Sequence, residues 1–222
     1  MNQRQFDERE LWNEKFRSGS HGSAEPDPFL VSAYREYFEP LLGNVSGRRA
    51  LDLAGGTGRH ALFLAERGWN VTLLDVSEVG LERARAEAAK RGLSLELRNE
   101  DAMVANLGCE QFDLILVFFF LQRELFPAIF DALKPDGLLI YKTYTVEHPR
   151  LSGGRGPQHP MHLLKTNELL QETLSFRAPD GGESNPYHHN AAEEDWTMQV
   201  LFYRETVADK GVAELVARKW IR

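Results

Sequence analysis

The sequence has a single cysteine, no long apolar run and fewer basic than acidic residues, and each of these shortages excludes a class of protein. Cys109 is the only cysteine among 222 residues, so an internal disulfide cannot form. No apolar run reaches the ~20 residues of a membrane span, and the N-terminus does not resemble a signal peptide. We therefore predict a cytoplasmic chain without a membrane segment.

The charge balance argues against a nucleic acid partner. Acidic residues outnumber basic ones by 33 to 26, which gives a formal net charge of −7. A surface with that balance does not favour contact with a phosphate backbone. Hydrophobic residues make up 42% of the chain, enough for one substantial α/β core but not for a second domain. We expect a single domain, and the sequence leaves its oligomeric state open.

The stretch from Arg49 to Val76 predicts a strand, a glycine turn, a helix and a second strand. Its first apolar run is interrupted only by Asp52, glycines follow at 55, 56 and 58, and the second run ends in Asp75. A turn of this kind presents backbone N–H groups and a helix dipole, and its glycines let a ligand approach the main chain. An acid at the tip of the second strand can accept hydrogen bonds from both ribose hydroxyls. The pattern predicts a nucleoside site.

These residues resemble a known motif. Asp52-x-Ala54-x-Gly56-x-Gly58 is similar to the acidic-x-Gly/Ala-x-Gly-x-Gly motif of class I S-adenosylmethionine-dependent methyltransferases. The resemblance covers most of the chain, through residues 99–102, 112–115 and 133–139. It implies an α/β fold, a Rossmann-like three-layer sandwich, whose seven-stranded sheet is mostly parallel with the last strand antiparallel.

The resemblance also implies S-adenosylmethionine as the cofactor and a small molecule as the methyl acceptor. Asp75 would bind the ribose, Asp101 would accept from the adenine amino group, and the backbone N–H of Ala102 would meet a ring nitrogen. Phe118 would wall the methionine end, and Trp12 belongs to a helix that would cover it. The implied cofactor-binding residues are Asp52, Ala54, Gly56, Gly58, Asp75, Val76, Asp101, Ala102, Phe118 and Trp12.

A narrower resemblance concerns the acceptor. Leu51-Asp52-Leu53-Ala54, with Trp12 and Pro28-Phe29-Leu30 upstream and Tyr203-Arg204-Glu205 downstream, is similar to the tellurite-resistance-type branch of small-molecule methyltransferases. That branch implies a thiol or a chalcogen oxyanion as acceptor. Residues 117–121 lack the Asn-Pro-Pro-aromatic motif of methyltransferases that modify DNA adenine or protein glutamine, which argues against that chemistry.

Two other functions compete with methyl transfer. Gly56-x-Gly58-x-x-Ala61 also fits the dinucleotide pattern of an NAD-dependent oxidoreductase. No Tyr-x-x-x-Lys pair occurs, however, and the charge of Asp52 would repel a pyrophosphate while it suits a sulfonium cofactor that bears an ammonium group. The second alternative is a domain that binds S-adenosylmethionine without catalysis, as a sensor or a subunit of an assembly.

The rest of the chain is expected to surround this core. Residues 1–45 predict N-terminal cap helices and a loop, 46–145 the cofactor-binding core, 146–196 substrate-side loops and a helix, and 197–222 a C-terminal hairpin. The spacing of Phe6, Leu11, Trp12 and Phe16 predicts one apolar face of an N-terminal helix. A third strand is predicted over 93–97, and a turn at 135–137 before a fifth strand. Thr166 is predicted to cap a later helix.

Candidate catalytic residues lie in and near the loop Tyr144 to Pro160, which is rich in glycine and proline. His148, His159 and Glu147 are candidate general bases. Arg123 has two equal interpretations, as a contact for an anion or as a partner in an ordinary salt bridge. Histidines are frequent in this half of the chain, with His162, His188 and His189 as further examples, but their spacing does not match a zinc motif and we expect no metal.

Overall fold

The computed structural model describes residues 3–19, 22–176 and 196–221. Its seven strands follow the order β3-β2-β1-β4-β5-β7-β6. The strands are β1 (Arg49–Leu53), β2 (Asn70–Asp75), β3 (Glu96–Asn99), β4 (Phe112–Phe118), β5 (Leu133–Tyr144), β6 (Trp196–Val207) and β7 (Gly211–Ile221). The helices are α1 (Gln3–Arg17), α2 (Pro28–Ala33), α3 (Glu39–Leu42), α4 (Arg59–Ala65), α5 (Glu78–Arg91), α6 (Phe126–Ala132), α7 (His148–Leu151) and α8 (Glu168–Ser175). The predicted fold class is confirmed.

The chain divides into two compact units, Met1–Asn106 and Leu107–Arg222. In the first unit β1, β2 and β3 pair in parallel, with Asp52 opposite Leu73 and Asp75 opposite Asn99. β1 and β2 are buried on both faces, as the continuous apolar runs require. The acids that the sequence placed at strand ends therefore lie at the carboxyl ends of neighbouring parallel strands.

Helices α2 and α3 are separated by a π turn at Tyr34–Phe38. Pro40, in the first turn of α3, lacks a backbone N–H and its ring clashes with a regular α-helical turn before it. The chain absorbs this by widening one turn, so that the N–H of Glu39 donates to the carbonyl of Tyr34, five residues earlier. Leu30 and Phe38 on this segment are fully buried.

The second unit contains β4 to β7. β4 and β5 are parallel, and β7 runs antiparallel to both β5 and β6. β6 and β7 form the predicted hairpin, with Val207 paired to Gly211 at its turn. No helix in the described part of the chain is long and apolar enough to cross a membrane.

Four local expectations were wrong. β3 begins at Glu96 rather than at residue 93. Residues 135–137 do not form a turn before β5 but a bulge within it. Phe112 of β4 pairs with Leu133, whereas Leu114 pairs with Leu138, so the residues between them are left out of the pairing, and Asp136 among them has a φ of +63°. α8 is preceded by Asn167 in a left-handed conformation, not capped by Thr166. Leu11 is 52% exposed and does not share a buried face with Phe16. Part of the predicted substrate-side region, residues 177–195, lies outside the described residues.

Candidate functional site

The carboxyl end of β1 holds a buried acid beneath the glycine turn. Asp52 is fully buried, and its Oδ2 accepts a hydrogen bond of 3.0 Å from the N–H of Ala61 in the first turn of α4. Its Oδ1 is buried without a hydrogen-bond partner among the described residues. A buried carboxylate oxygen that lacks a donor is costly, so this position is suited to a cationic or hydrogen-bond-donating ligand.

The charge state of Asp52 follows from its burial. The pKa of the carboxyl is raised to about 7, because burial and the nearby charge of Asp75 together outweigh the Ala61 N–H and the positive charge of Arg59, which lower it. Asp52 is thus poised to change its protonation near neutral pH.

Backbone geometry at the turn explains why small residues are needed there. A Cβ on Gly55 would lie 2.4 Å from Cγ of Asp52, so only glycine leaves room for that carboxyl. Ala54 and Gly58 have positive φ angles of 54° and 74°. Gly55, which the motif treats as a variable position, is therefore a site residue that the sequence reasoning missed.

Asp75, at the end of β2, holds the turn to the start of α5. Its Oδ2 accepts from the N–H of Gly56 and its Oδ1 from the N–H of Ser77, both at 2.8 Å. The side chain is buried, and burial raises its pKa while these N–H groups oppose the rise. Each oxygen keeps a second lone pair, so the carboxylate can still accept from a further donor.

The end of β3 adds polar groups next to Asp75. Asn99, which the sequence reasoning did not single out, donates from Nδ2 to the carbonyls of Asp75 and Val76 at 3.2 and 3.0 Å. Asp101 is half-exposed and its Oδ1 accepts from the N–H of Met103 at 2.9 Å, while Ala102 is buried. These residues stay at the carboxyl edge of the first unit, where the sequence placed them.

Helix α1 packs on the start of α5 through Asn13 and on the glycine turn through Phe16, and neither residue was predicted as a site residue. Asn13 is fully buried, and its Oδ1 accepts from the Ser77 hydroxyl at 2.6 Å. A Cβ on Gly56 would lie only 2.8 Å from Cζ of Phe16. The Phe16 ring therefore lies directly on the turn, and Trp12 packs against Phe16 with a centroid distance of 5.8 Å.

The loop after α1 also meets the turn. A Cβ on Gly22 would lie 3.3 Å from Cγ2 of Thr57. Arg59 donates from Nη1 to the carbonyl of Glu25 at 3.4 Å. The N-terminal segment thus contacts the glycine turn on both sides of the α1 terminus.

In the second unit, aromatic rings gather at the carboxyl ends of β4 and β5. The ring centroids of Phe118 and Phe119 are 6.4 Å apart, those of Phe119 and Tyr144 are 5.0 Å apart, and those of Tyr144 and His148 are 4.2 Å apart. Phe118 is buried, whereas Phe119 and Tyr144 are half-exposed. We call these four residues the aromatic wall.

The candidate bases differ in environment. His148 is buried, with Nε2 3.0 Å from the carbonyl of Arg155 and Nδ1 without a partner among the described residues. Because a carbonyl only accepts, Nε2 carries the hydrogen and Nδ1 keeps its lone pair. Glu147 pairs with Arg150 at 3.2 Å, and His159, which is exposed, accepts from the N–H of Met161 at 3.2 Å. These two have local structural partners.

Arg123 forms a salt bridge, the second of its two interpretations. It meets both carboxylate oxygens of Glu168, with 2.8 Å between Nη2 and Oε2, and also donates to the carbonyls of Met161 and Leu163. This pairing raises the pKa of Arg123. Burial raises the pKa of Glu168, but the hydrogen bonds and positive charges of Arg123 and Lys165 together outweigh it, so the pKa of Glu168 is lowered. Because its donors are engaged in these hydrogen bonds, Arg123 is not part of the proposed site.

The histidines do not gather around a common point in the described ranges. Within residues 3–19, 22–176 and 196–221, no group of three or more His, Cys, Asp or Glu side chains has the arrangement of a metal site. His188 and His189 lie outside the described residues.

The glycine turn and the strand order together define a class I methyltransferase fold. Residues 50–137 match a family described as a methyltransferase domain. Over these residues the chain is therefore similar to a methyltransferase domain.

Curated relatives share part of this chain. A ubiquinone biosynthesis O-methyltransferase of Actinobacillus pleuropneumoniae is 29% identical over 133 residues, which cover 55% of this chain and 57% of that protein. The corresponding protein of Bordetella avium is 29% identical over 175 residues, which cover 68% and 72%. The chain spans about half the length of the first curated relatives that it matches.

Solved structures share the fold at low identity. The phosphoethanolamine N-methyltransferase 1 of Haemonchus contortus, in complex with phosphoethanolamine and S-adenosylhomocysteine, gives a TM-score of 0.67 at 17% identity, covering 99% of this chain and 49% of that one. TehB from Haemophilus influenzae gives 0.63 at 20%, covering 93% and 67%. At these identities the likeness concerns the fold.

Proposed function

We propose that this protein binds S-adenosylmethionine and transfers its methyl group to a small-molecule acceptor by direct in-line displacement. The observation that carries the proposal is Asp52, a buried carboxylate beneath the glycine turn with one oxygen lacking a donor. A cationic cofactor matches that oxygen, whereas the pyrophosphate of a nicotinamide cofactor would bring like charge to it.

The residues around the turn fit the cofactor. Asp75 has acceptor capacity left for ribose hydroxyls, and the neighbouring carboxyl edge offers Asp101 and Ala102 for the adenine. Asp52 would balance the cationic methionine end, directly or through water. Phe16 contacts Gly56 and would help to exclude water from this end.

When bound, S-adenosylmethionine supplies a methyl group on a sulfonium, which is already a strong electrophile. The protein's contribution is then alignment of the acceptor and exclusion of water rather than a covalent step. A general base is needed only for an acceptor that arrives protonated. Among the candidates, His148 is the one whose imidazole is buried and keeps a lone pair without a partner in the described residues.

The acceptor has two candidate classes. The resemblance to the tellurite-resistance-type branch favours a thiol or a chalcogen oxyanion. The names of the ubiquinone biosynthesis O-methyltransferases favour an oxygen atom as the methyl acceptor. A domain that retains the cofactor without any transfer is the non-catalytic alternative.

The test is isothermal titration of the purified protein with S-adenosylmethionine, S-adenosylhomocysteine and NADH. Asp75→Asn removes the charge and one acceptor, and Asp136→Asn is a matched control because Asp136 is exposed, lies away from the glycine turn in sequence and accepts from Arg218 at 2.8 Å. We expect the first two ligands to bind, Asp75→Asn to weaken both at least tenfold, and Asp136→Asn to leave both unchanged. Binding of NADH alone would contradict the proposal.

A further inference from the structure

The buried amide of Asn13 in α1 is joined by hydrogen bonds to Asp75, the acid at the end of β2. Asn13 and Ser77 are both fully buried, and the Ser77 hydroxyl donates to Oδ1 of Asn13 at 2.6 Å. The N–H of Ser77 donates to Oδ1 of Asp75 at 2.8 Å, and the other Asp75 oxygen accepts from the N–H of Gly56. Ser77 therefore connects α1 with the carboxylate that is proposed to bind the ribose.

The position of Ser77 depends on Asn13. Ser77 is the N-cap of α5, where its hydroxyl oxygen accepts from the N–H of Gly80 at 3.1 Å. A hydroxyl has a single hydrogen to donate, and the amide oxygen of Asn13 accepts it. Without Asn13 the buried hydroxyl would lose this acceptor, and a buried polar group that lacks a partner is costly. A shift of Ser77 that relieves this cost also moves the N–H that donates to Asp75.

The ring of Phe16 holds α1 against the same part of the molecule. A Cβ on Gly56 would lie 2.8 Å from Cζ of Phe16, and a Cβ on Gly80 would lie 3.0 Å from Cε2 of the same ring. The ring therefore fills the space that these two glycines leave, one in the glycine turn and the other in the first turn of α5. Asp75 joins the same two segments, since its oxygens accept from Gly56 and from Ser77. The docking of α1 and the placement of the Asp75 carboxylate thus depend on one packing arrangement.

We propose that Asn13 is a positioning residue for the cofactor: through Ser77 it holds the Asp75 carboxylate in place for the ribose hydroxyls, and cofactor binding in turn strengthens the docking of α1. This inference rests on the proposed function and deepens it. A carboxylate that is already held in its binding geometry loses less conformational freedom when the ligand arrives, so the affinity is higher. Because coupling between two sites is reciprocal, a ribose at Asp75 also stabilises the contact of Asn13 with Ser77.

The experiment distinguishes this role from simple coverage of the cofactor by α1. Dissociation constants are measured by calorimetry for S-adenosylhomocysteine and for methylthioadenosine, which keeps the adenine and the ribose but lacks the amino-acid end. The variants are Asn13→Ala and Ser77→Ala, which break the same hydrogen bond from its two sides, and the double variant. Tyr34→Phe is a matched control, because it breaks another buried hydrogen bond of the same unit, 3.1 Å between the Tyr34 hydroxyl and Nε1 of Trp69. Trp69 directly precedes β2, at the end of that strand opposite Asp75.

We expect Asn13→Ala and Ser77→Ala each to raise both dissociation constants about 5- to 30-fold, as for two coupled sites, while Tyr34→Phe leaves both unchanged. The double variant should bind no more weakly than the weaker of the two single variants, since both substitutions remove the same connection. Each ligand should also slow amide hydrogen exchange in α1 of the wild type and of Tyr34→Phe, but not of Asn13→Ala.

The failure of the proposed function and the failure of this inference give different results. If S-adenosylhomocysteine does not bind the wild type, the proposed function itself is overturned. If it binds but Asn13→Ala behaves like Tyr34→Phe, only the role of Asn13 is overturned. Failure of methylthioadenosine to bind the wild type, or a loss confined to S-adenosylhomocysteine, would overturn the connection to the ribose acid. Should Asn13→Ala fail to fold, Ser77→Ala is held to the same expected result and the same contradictions.

Discussion

Asp52→Asn tests whether the carboxyl beneath the glycine turn is as costly to ionise as its burial implies. The amide keeps an oxygen that can accept from the N–H of Ala61, so the start of α4 retains its hydrogen bond. What the substitution removes is the ionisable group. It also places an amide donor where Oδ1 is buried without a partner among the described residues, which lowers stability by about 1–3 kcal/mol at every pH.

The magnitude follows from the raised pKa. In the folded protein the carboxyl has a pKa of about 7, against an ordinary value of 3.8 that applies to the unfolded chain. The unfolded chain therefore releases this proton first, and stability falls as the pH rises between these two values. The full difference corresponds to about 4 kcal/mol, of which about 3 kcal/mol is lost between pH 5 and pH 8.

The assay is urea unfolding of the wild type and Asp52→Asn without cofactor at pH 5, 6, 7 and 8. Relative to the variant, the wild type should lose about 3 kcal/mol of unfolding free energy over this range. The comparison between the two proteins cancels most other titrating groups, and Asp136→Asn should track the wild type at every pH. A difference between wild type and Asp52→Asn that stays constant with pH would refute the reasoning.

Two further substitutions probe contacts that join distant segments. Asn13→Ala removes the hydrogen bond to the Ser77 hydroxyl and should destabilise the protein by about 1–3 kcal/mol in urea unfolding, with faster hydrogen exchange in α1; unchanged exchange there would contradict the role of Asn13 in docking α1. Glu168→Gln should cost about 1–2 kcal/mol at pH 7, discounted because Arg123 is partly exposed. The pKa of Glu168 is lowered, so this cost should shrink as the pH falls below about 4.5, and a cost that does not change with pH would count against the ion pair.

The sequence determined the glycine turn and the fold class because both depend on local patterns. The glycines and the apolar runs fix where backbone can bend and which strands are buried on both faces. The positions of Asp52 and Asp75 at adjacent strand ends follow from the parallel pairing that those runs predict. The short turn between the last two strands likewise predicted the terminal hairpin.

Smaller departures came from residues whose conformation depends on their neighbours in space. Asp136 lies in a bulge because β4 pairs on both sides of it, and a sequence pattern cannot distinguish such a bulge from a turn that precedes the strand. The sequence left Arg123 with two interpretations because Glu168, its partner, is 45 residues away.

Only the tertiary structure decided what surrounds the turn and the aromatic wall. The buried position of Asn13 depends on Ser77, 64 residues later, and the left-handed conformation of Phe119, with a φ of +57°, depends on the carbonyl of Lys142 in the neighbouring strand. Local propensity favours neither state, since a buried amide and a strained aromatic both cost free energy on their own. Contacts between distant segments offset those costs, and such contacts exist only once the chain has folded.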